Sequence, residues 1–231
     1  MDTGDLARFR AVQDAARHTL DSITLFIQPG VTEADLVAEC DRLQRAAGVD
    51  SYWYKSLPAL ALVGDNTTLA ISQSPYTPGN IPIRETDLVT IDLNPAMAGY
   101  YGDYARSYYV EKGVARRTPT SEPEFLVGAK AQAQLHGLLL QVAREDMTFD
   151  VLYQCIQAEV DRLGFEKLDY LGHGMQLDVS QLVFLAPGVQ CTLGEIGLFT
   201  LEPQIRLREG GRFAFKHENI YYFRDNVLAE L

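Results

Sequence analysis

Two predicted strands, each of which contains one aspartate, constrain the fold of this chain most strongly. Residues 88–93 are apolar or β-branched around Asp92 and predict a buried strand. Residues 100–110 predict a second strand that contains Asp103, joined to the first by a turn at 95–99. Two carboxylates that share an apolar pocket repel each other, so one takes up a proton unless a cation lies between them. Two solvated aspartates beside a turn are the plainer alternative.

Helical patterns flank this hairpin on both sides, and further strands follow near the end of the chain. The predicted helices cover 5–27, the segment from Thr32 to Gly48, 121–145 and 148–163, and the later strands lie near 198–207 and 212–223. Thr32 and Asp35 form a shortened capping box at the second helix. This order favours an α+β fold with an antiparallel sheet over a doubly wound fold. Because no linker divides the chain, we expect a single domain over 1–231.

Three further residues are candidates for chemistry. His173 lies between two glycines, which allow the backbone or a ligand to approach closely, although a lone histidine is more often a structural residue. Glu202 interrupts an apolar strand, where an unpaired carboxylate is costly and needs a metal or a basic partner. Glu218 lies between two aromatic strand segments. Each signal is weak when it is taken alone.

Composition limits the partners and the cellular setting. The net charge of −11 argues against nucleic acid and anionic membranes as partners, because binding a polyanion relies on Lys and Arg. A hydrophobic content of 47% supplies a real core, yet no apolar stretch is long enough to span a bilayer. The N-terminus has no basic segment followed by an apolar run, and the three cysteines are widely spaced without a paired motif. We therefore expect a cytoplasmic protein.

Taken together, these motifs resemble the methionine aminopeptidase, prolidase and creatinase superfamily. The most specific segments are TIDLNPAMAGYYGDYARSYYV, GHGMQLDV and LFTLEPQI. The resemblance implies the pita-bread fold, a curved antiparallel sheet covered by helices. It also implies five metal ligands, which are Asp92, Asp103, His173, Glu202 and Glu218.

The resemblance further implies two divalent metal ions and a hydrolytic mechanism. Four carboxylates balance the charge of two divalent ions, and oxygen-rich ligation with one imidazole suits Mn, Fe or Co and also admits Zn. Two adjacent ions bridge a water, lower its pKa and stabilise a hydrolytic transition state. Glu202 is the candidate proton shuttle, and His173 is the second candidate catalytic residue.

The sequence departs from the peptidases of this superfamily in two histidines. The region 71–76 and Ser180 stand where those enzymes carry imidazoles that bind the scissile carbonyl and the leaving nitrogen. Losing one such donor typically reduces the rate by ~10²–10³. Gln176 replaces a small residue and would narrow the pocket, while Lys216 stands where prolidase-like members often carry arginine. The metal ligands are thus retained, but the groups that cleave ordinary peptides are altered.

The leading hypothesis is a dinuclear metalloenzyme that hydrolyses the C–N bond of a small amide or peptide-like substrate. Gln176, Ser180, Lys216 and Tyr54 are candidate substrate contacts, the last within an aromatic cluster that is otherwise core. One alternative is oxygen-dependent chemistry at a di-iron centre, and another is a binding module without catalysis. Retention of all five ligands argues against the binding module. A homodimer, in which a partner subunit shapes the substrate entrance, is compatible with the sequence.

Overall fold

The computed structural model describes residues 3–73 and 75–231. The helices in these ranges are α1 (Thr3–Ser22), α2 (Glu33–Ala46), α3 (Pro123–Val142), α4 (Phe149–Arg162) and α5 (Leu193–Ile196). The first strands are β1 (Ser51–Tyr52), β2 (Ala59–Val63), β3 (Thr86–Leu93), β4 (Pro95–Met97), β5 (Tyr100–Tyr101), β6 (Tyr104–Glu111) and β7 (Val114–Arg116). The later strands are β8 (Phe165–Lys167), β9 (Phe199–Leu201), β10 (Gln204–Leu207), β11 (Ala214–Lys216), β12 (Asn219–Arg224) and β13 (Val227–Glu230).

A four-stranded antiparallel sheet in the order β2-β3-β6-β7 forms the centre of the fold. Its long β3–β6 pairing places Asp92 opposite Ala105, so the hairpin expected from the sequence is confirmed. Three smaller antiparallel sheets adjoin it, in the orders β1-β4-β5, β8-β10-β11 and β9-β12-β13. Two backbone contacts join β6 to the later strands: Arg106 pairs with His217, and the Glu218 N–H donates to the Ala105 carbonyl over 3.0 Å. The elements therefore form an α+β structure built on antiparallel sheets.

Two helical pairs pack on the sheets through separate apolar clusters. One cluster joins α3 and α4 to the later strands and includes Leu135, Leu139, Leu152, Ile156, Phe199 and Phe215. The other joins α1 and α2 to the central sheet and includes Ala16, Leu20, Leu36, Cys40, Val89 and Ile91. Each such fully buried aliphatic or aromatic side chain contributes roughly 1.5–3 kcal/mol. In the described part of the chain, no helix combines the length and apolar character needed to cross a membrane.

The helix boundaries follow local chemistry. The predicted capping box is confirmed, because the Thr32 N–H donates to Asp35 Oδ2 over 2.9 Å and the Asp35 N–H donates to Thr32 Oγ1 over 3.2 Å. The first predicted helix is too long: α1 ends at Ser22 and gives way to a 3₁₀ turn over Ile23–Leu25. The helix predicted to reach 145 ends at Val142, because Ala143 has extended backbone angles.

Three segments predicted as continuous strands are interrupted, and every interruption contains a predicted metal ligand. The strand over 100–110 breaks at Gly102–Asp103, between β5 and β6. The strand over 198–207 breaks at Glu202–Pro203, where proline lacks the N–H that a ladder needs. The strand over 212–223 breaks at 217–218, between β11 and β12. The predictions of continuous strands were wrong because the apolar residues on both sides of each break outweighed the polar, glycine and proline residues within it.

Glu111 at the end of β6 organises the connection to α3. Its carboxylate accepts hydrogen bonds from the N–H and hydroxyl groups of Thr120 and Ser121 and from the Glu122 N–H, at 2.7–2.9 Å. Burial alone would raise the pKa of Glu111, but these hydrogen bonds, above all from the Glu122 and Thr120 backbone, lower it to about 2 from an ordinary 4.5. A carboxylate with a lowered folded-state pKa stabilises the fold only while it is ionised.

We predict that Glu111→Gln lowers the free energy of unfolding at neutral pH by about 1–3 kcal/mol. The glutamine amide would place its own N–H donors against the N–H and hydroxyl donors from which the Glu111 carboxylate accepts. The contribution of Glu111 is complete above about pH 4.5 and is lost as the pH falls toward about 2, so the deficit of the variant shrinks at low pH. Urea unfolding at neutral pH and at about pH 3 measures both values. The exposed Glu145→Gln is the control, and an equal deficit at both pH values would contradict the assignment.

Candidate metal centre

Five segments bring the predicted ligands to one place. Asp92 comes from β3, Asp103 from the break before β6, His173 from the loop after β8, Glu202 from the end of β9 and Glu218 from the break before β12. Their donor atoms form two groups, each within 4.8 Å: Asp103, His173 and Glu218 in one, and Asp92, Glu202 and Glu218 in the other. The two groups share Glu218. Each group is therefore a candidate position for a cation.

His173 is held with one ring nitrogen directed at the carboxylates. Its Nδ1 lies 2.9 Å from the Gly174 carbonyl oxygen, an acceptor, which orients the ring with Nε2 toward the carboxylates. Nε2 lies 3.2 Å from Asp103 Oδ2 and 3.5 Å from Glu202 Oε1. Gly172, which precedes His173, allows the backbone to pass close to Thr200, because a Cβ at Gly172 would lie 2.2 Å from the Thr200 carbonyl oxygen. The glycine that the sequence singled out thus positions the imidazole.

The cluster concentrates negative charge that a bound cation would neutralise. Glu218 is 0% exposed and neither carboxylate oxygen has a hydrogen-bond partner, and Asp92 Oδ1 is buried and unpartnered as well. Burial raises the pKa of Asp92, Asp103 and Glu218, and the neighbouring carboxylates raise these values further. Buried charges without partners are strongly unfavourable. Oxygen and imidazole donors in this number match a divalent ion of the Mn, Fe, Co or Zn type.

Lys216 places a positive charge inside the same cluster. Its Nζ lies 2.6 Å from Asp92 Oδ2 and 3.1 Å from Glu202 Oε2. Burial would lower the pKa of Lys216, but the Asp92 and Glu202 carboxylates raise it well above its ordinary value. The charge balance inferred from the sequence set four carboxylates against two ions and omitted this ammonium. Lys216 therefore changes the electrostatic balance of the site.

The cluster opens into a cavity of about 410 Å³. Of the four candidate substrate contacts, Tyr54, Ser180 and Lys216 line this cavity. Ser180 is exposed, and its hydroxyl donates to Asp178 Oδ1 over 2.6 Å. Gln176 does not line the cavity; its Oε1 accepts from the Val183 N–H over 3.3 Å and so braces the loop. The expectation that Gln176 narrows the pocket has no support in this lining.

Sequence reasoning missed several cavity residues. Asn94 follows Asp92 by two positions, so both point to the same face of the extended chain, and its amide nitrogen is buried without a partner. Asp169 accepts hydrogen bonds from the Ser72 N–H, at 3.1 Å, and from its hydroxyl. Phe184 packs on Tyr170 with ring centroids 4.3 Å apart. The two-residue period after Asp92 could have identified Asn94, whereas the others depend on long-range folding.

The remaining histidines lie away from the cavity. His136 and His217 contact each other, with ring centroids 4.4 Å apart, and burial lowers the pKa of His136 to about 3, so it is neutral. His18 is exposed on α1. Ser74, within the region where peptidases carry a histidine, lies outside the described residues. Among the described residues that line the cavity, His173 contributes the one imidazole.

Comparison with known proteins agrees with this geometry. The model of metallopeptidase family M24 matches residues 7–225. This chain belongs to metallopeptidase family M24. The methionine aminopeptidase of Rickettsia prowazekii is 27% identical over 208 residues, which cover 87% of this chain and 76% of that protein. As a family member, the chain is an enzyme of the metal-dependent hydrolase type.

Solved structures confirm the expected pita-bread fold. The X-Pro aminopeptidase of Thermotoga maritima matches 100% of this chain and 61% of its own, with a TM-score of 0.82 and 18% identity. The prolidase of Pyrococcus furiosus matches 99% of this chain and 64% of its own, with a TM-score of 0.83 and 17% identity. This chain therefore spans less than two thirds of the length of either of these two proteins.

We predict that Glu218→Gln weakens divalent metal binding by more than about 100-fold, because Glu218 belongs to both ligand groups. Loss of a residue that only hydrogen-bonds to a metal ligand typically weakens metal binding roughly 10–100-fold, so loss of a shared ligand should cost more. Isothermal titration calorimetry with MnCl₂ on chelator-treated protein measures the affinity. Asp169→Asn is the matched control, since Asp169 lines the cavity but belongs to neither group. Equal weakening by both substitutions would show a general electrostatic effect and would reject the ligand assignment.

Proposed function

We propose that this M24 enzyme hydrolyses a C–N bond of a small, specialised amide or amino-acid derivative. The observation that carries the proposal is the buried acidic cluster at the base of a cavity. The cluster supplies donors for divalent ions, and the cavity supplies room for a small molecule next to them. Cavities of roughly 300–1,000 Å³ are usual for small-molecule sites, and this one lies near the lower limit.

The proposed cofactors are divalent ions, with Mn, Fe or Co preferred and Zn admitted by the donor set. Asp92, Asp103, His173, Glu202 and Glu218 would hold them, and the shared Glu218 supports two adjoining positions. Such ions, when bound, polarise a carbonyl and make an attacking water more acidic.

The lining supports a neutral substrate with an apolar side group. Leu60, Leu62 and Ile71 form one apolar wall, and the rings of Tyr54 and Phe184 also face the cavity. Lys216 is the one lysine or arginine among the described lining residues, and it is already paired with two carboxylates. A substrate carboxylate thus finds no free basic partner in the lining, which favours amides over free dipeptides.

Two side chains can position the reacting groups. The unpartnered amide nitrogen of Asn94 is a donor for the substrate carbonyl oxygen, and filling it would remove the cost of a buried unsatisfied group. Glu202 is less buried than the other carboxylates and borders the cavity. It is therefore the group best placed to accept a proton from the attacking water on Oε1 and return it to the leaving nitrogen.

General peptides should be poor substrates of this enzyme. The described residues that line the cavity include neither of the two additional imidazoles that peptidases of this fold use, and the hydroxyl of Ser180 cannot act as an acid near neutral pH. The loss of such a donor reduces a rate by roughly 10²–10³. A substrate with a better leaving group, or one that orders itself in the apolar part of the cavity, would be less affected.

Metal-dependent hydrolysis tests the proposal. Anaerobically purified protein is loaded with Mn, Fe, Co or Zn in turn and assayed against small amides, amino-acid amides and dipeptides, while oxygen consumption is recorded. We expect hydrolysis of an apolar amide that EDTA abolishes and that Glu218→Gln lacks. Oxygen consumption that depends on iron, without hydrolysis, would contradict the proposal and support an oxidative enzyme.

In the same assay, Asn94→Ala should lower kcat/KM by roughly 10–100-fold, because the substrate carbonyl loses a buried donor. Asn94→Asp keeps the shape but replaces the amide donor with an acceptor, so it should be at least as impaired. Unchanged kinetics in both variants would exclude Asn94 from substrate binding.

A further inference from the structure

The ammonium of Lys216 lies where a cation would bind to two of the five ligands. Its Nζ contacts oxygens of two different residues, Asp92 at 2.6 Å and Glu202 at 3.1 Å. The side chain is only 15% exposed, so these contacts are made in a buried setting. A buried ammonium between two carboxylates neutralises part of their charge in the way that a metal ion does.

The contacts of Lys216 distinguish the two ligand groups. Asp92 and Glu202 belong to one group only, which is the group that Lys216 contacts. Asp103 and His173 belong to the other group. The shared ligand Glu218 keeps two buried oxygens without a hydrogen-bond partner. The two candidate positions are therefore unequal in charge, and they also differ in donor type, since one includes an imidazole and the other only carboxylates.

The backbone around Lys216 fixes the ammonium in this place. The Lys216 N–H donates to Ser107 Oγ over 2.9 Å, and the Ser107 hydroxyl donates to the Lys216 carbonyl over 2.9 Å. On its other side, Lys216 pairs with Gln204 of β10. The side chain thus extends into the cluster from a strand that is held by both neighbours. Lys216 therefore has an ordered backbone and a largely buried side chain, unlike a lysine in a surface ion pair.

We propose that Lys216 serves as a built-in cation for Asp92 and Glu202, so that the resting enzyme holds one divalent ion, on Asp103, His173 and Glu218. A second ion binds only by displacing the ammonium, and its affinity is lower. The inference rests on the proposed metal-dependent function, but it concerns the number of ions and not the reaction.

Charge and geometry both support unequal binding. A second divalent ion at Asp92 and Glu202 would face the Lys216 ammonium at close range, and like charges in a buried site repel strongly. Removal of the ammonium would free Asp92 Oδ2 and Glu202 Oε2 for a metal ion. Asp92 Oδ1, which already lacks a hydrogen-bond partner, would be a third available oxygen. Metal binding at this position is thus in direct competition with an internal ion pair.

Manganese titration of the full chain tests the inference. Chelator-treated protein is titrated with MnCl₂ by calorimetry and by electron paramagnetic resonance, with bound metal counted by mass spectrometry. We expect one tight site with the spectrum of an isolated Mn²⁺ ion, and a second site at least about tenfold weaker. Lys216→Met removes the charge at similar length and should bind two ions with closer affinities and an exchange-coupled spectrum. Lys216→Arg keeps the charge and should behave like the natural chain.

Three results would overturn the inference. Two equally tight ions in the natural chain would show that Lys216 does not compete, and a single ion in a folded Lys216→Met variant would show the same. Absence of manganese binding would reject it together with the metal centre. Circular dichroism checks the folding of each variant. The titration contains no substrate, so it tests the number of ions separately from the reaction. A chain that binds one ion yet cleaves no amide would disprove the proposed reaction but not the inference about Lys216.

Discussion

The mutual repulsion of three buried carboxylates and the adjoining Glu202 is the constraint on which the site depends. Asp92, Asp103 and Glu218 are nearly or fully inaccessible, and Glu202 lies beside them. Such a cluster is stable only with compensating positive charge, because burial and neighbouring anions both favour protonation. Lys216 supplies one charge, and the unpartnered oxygens of Glu218 and Asp92 leave room for divalent metal. The fold is arranged so that these charges meet at the base of a cavity.

Interruptions in the sheets make this convergence geometrically feasible. Asp103, Glu202 and Glu218 each lie where one strand ends and the next begins, so their side chains are not bound by the alternation of a regular ladder. Hydrogen bonds from β6 hold the segments at and beside the last break in place. The Glu218 N–H donates to Ala105, and the hydroxyl of Ser107 bonds both backbone groups of Lys216. The same local contacts that join the sheets therefore position both a metal ligand and the competing ammonium.

Much of this arrangement could be predicted from the sequence. The β3–β6 hairpin, the capping box at Thr32 and the order of helices and strands follow from local patterns. The resemblance to the superfamily supplied the five candidate ligands, which the structure brings together. The strand breaks were missed because apolar residues flank each of them, although Pro203 is a local signal for the break after β9. The ion pairs of Lys216 were also missed, since Asp92 is 124 residues away and side-chain contacts at that distance depend on the completed fold.

Anomalous diffraction from crystals grown with manganese tests the central claim, that the buried carboxylates form a metal centre, most directly. Data collected on either side of the manganese absorption edge locate the ion without reference to activity. The account predicts a strong anomalous peak bounded by Asp103, His173 and Glu218, next to the Lys216 ion pair. A cluster without a peak, in crystals where manganese binds elsewhere on the chain, would contradict it.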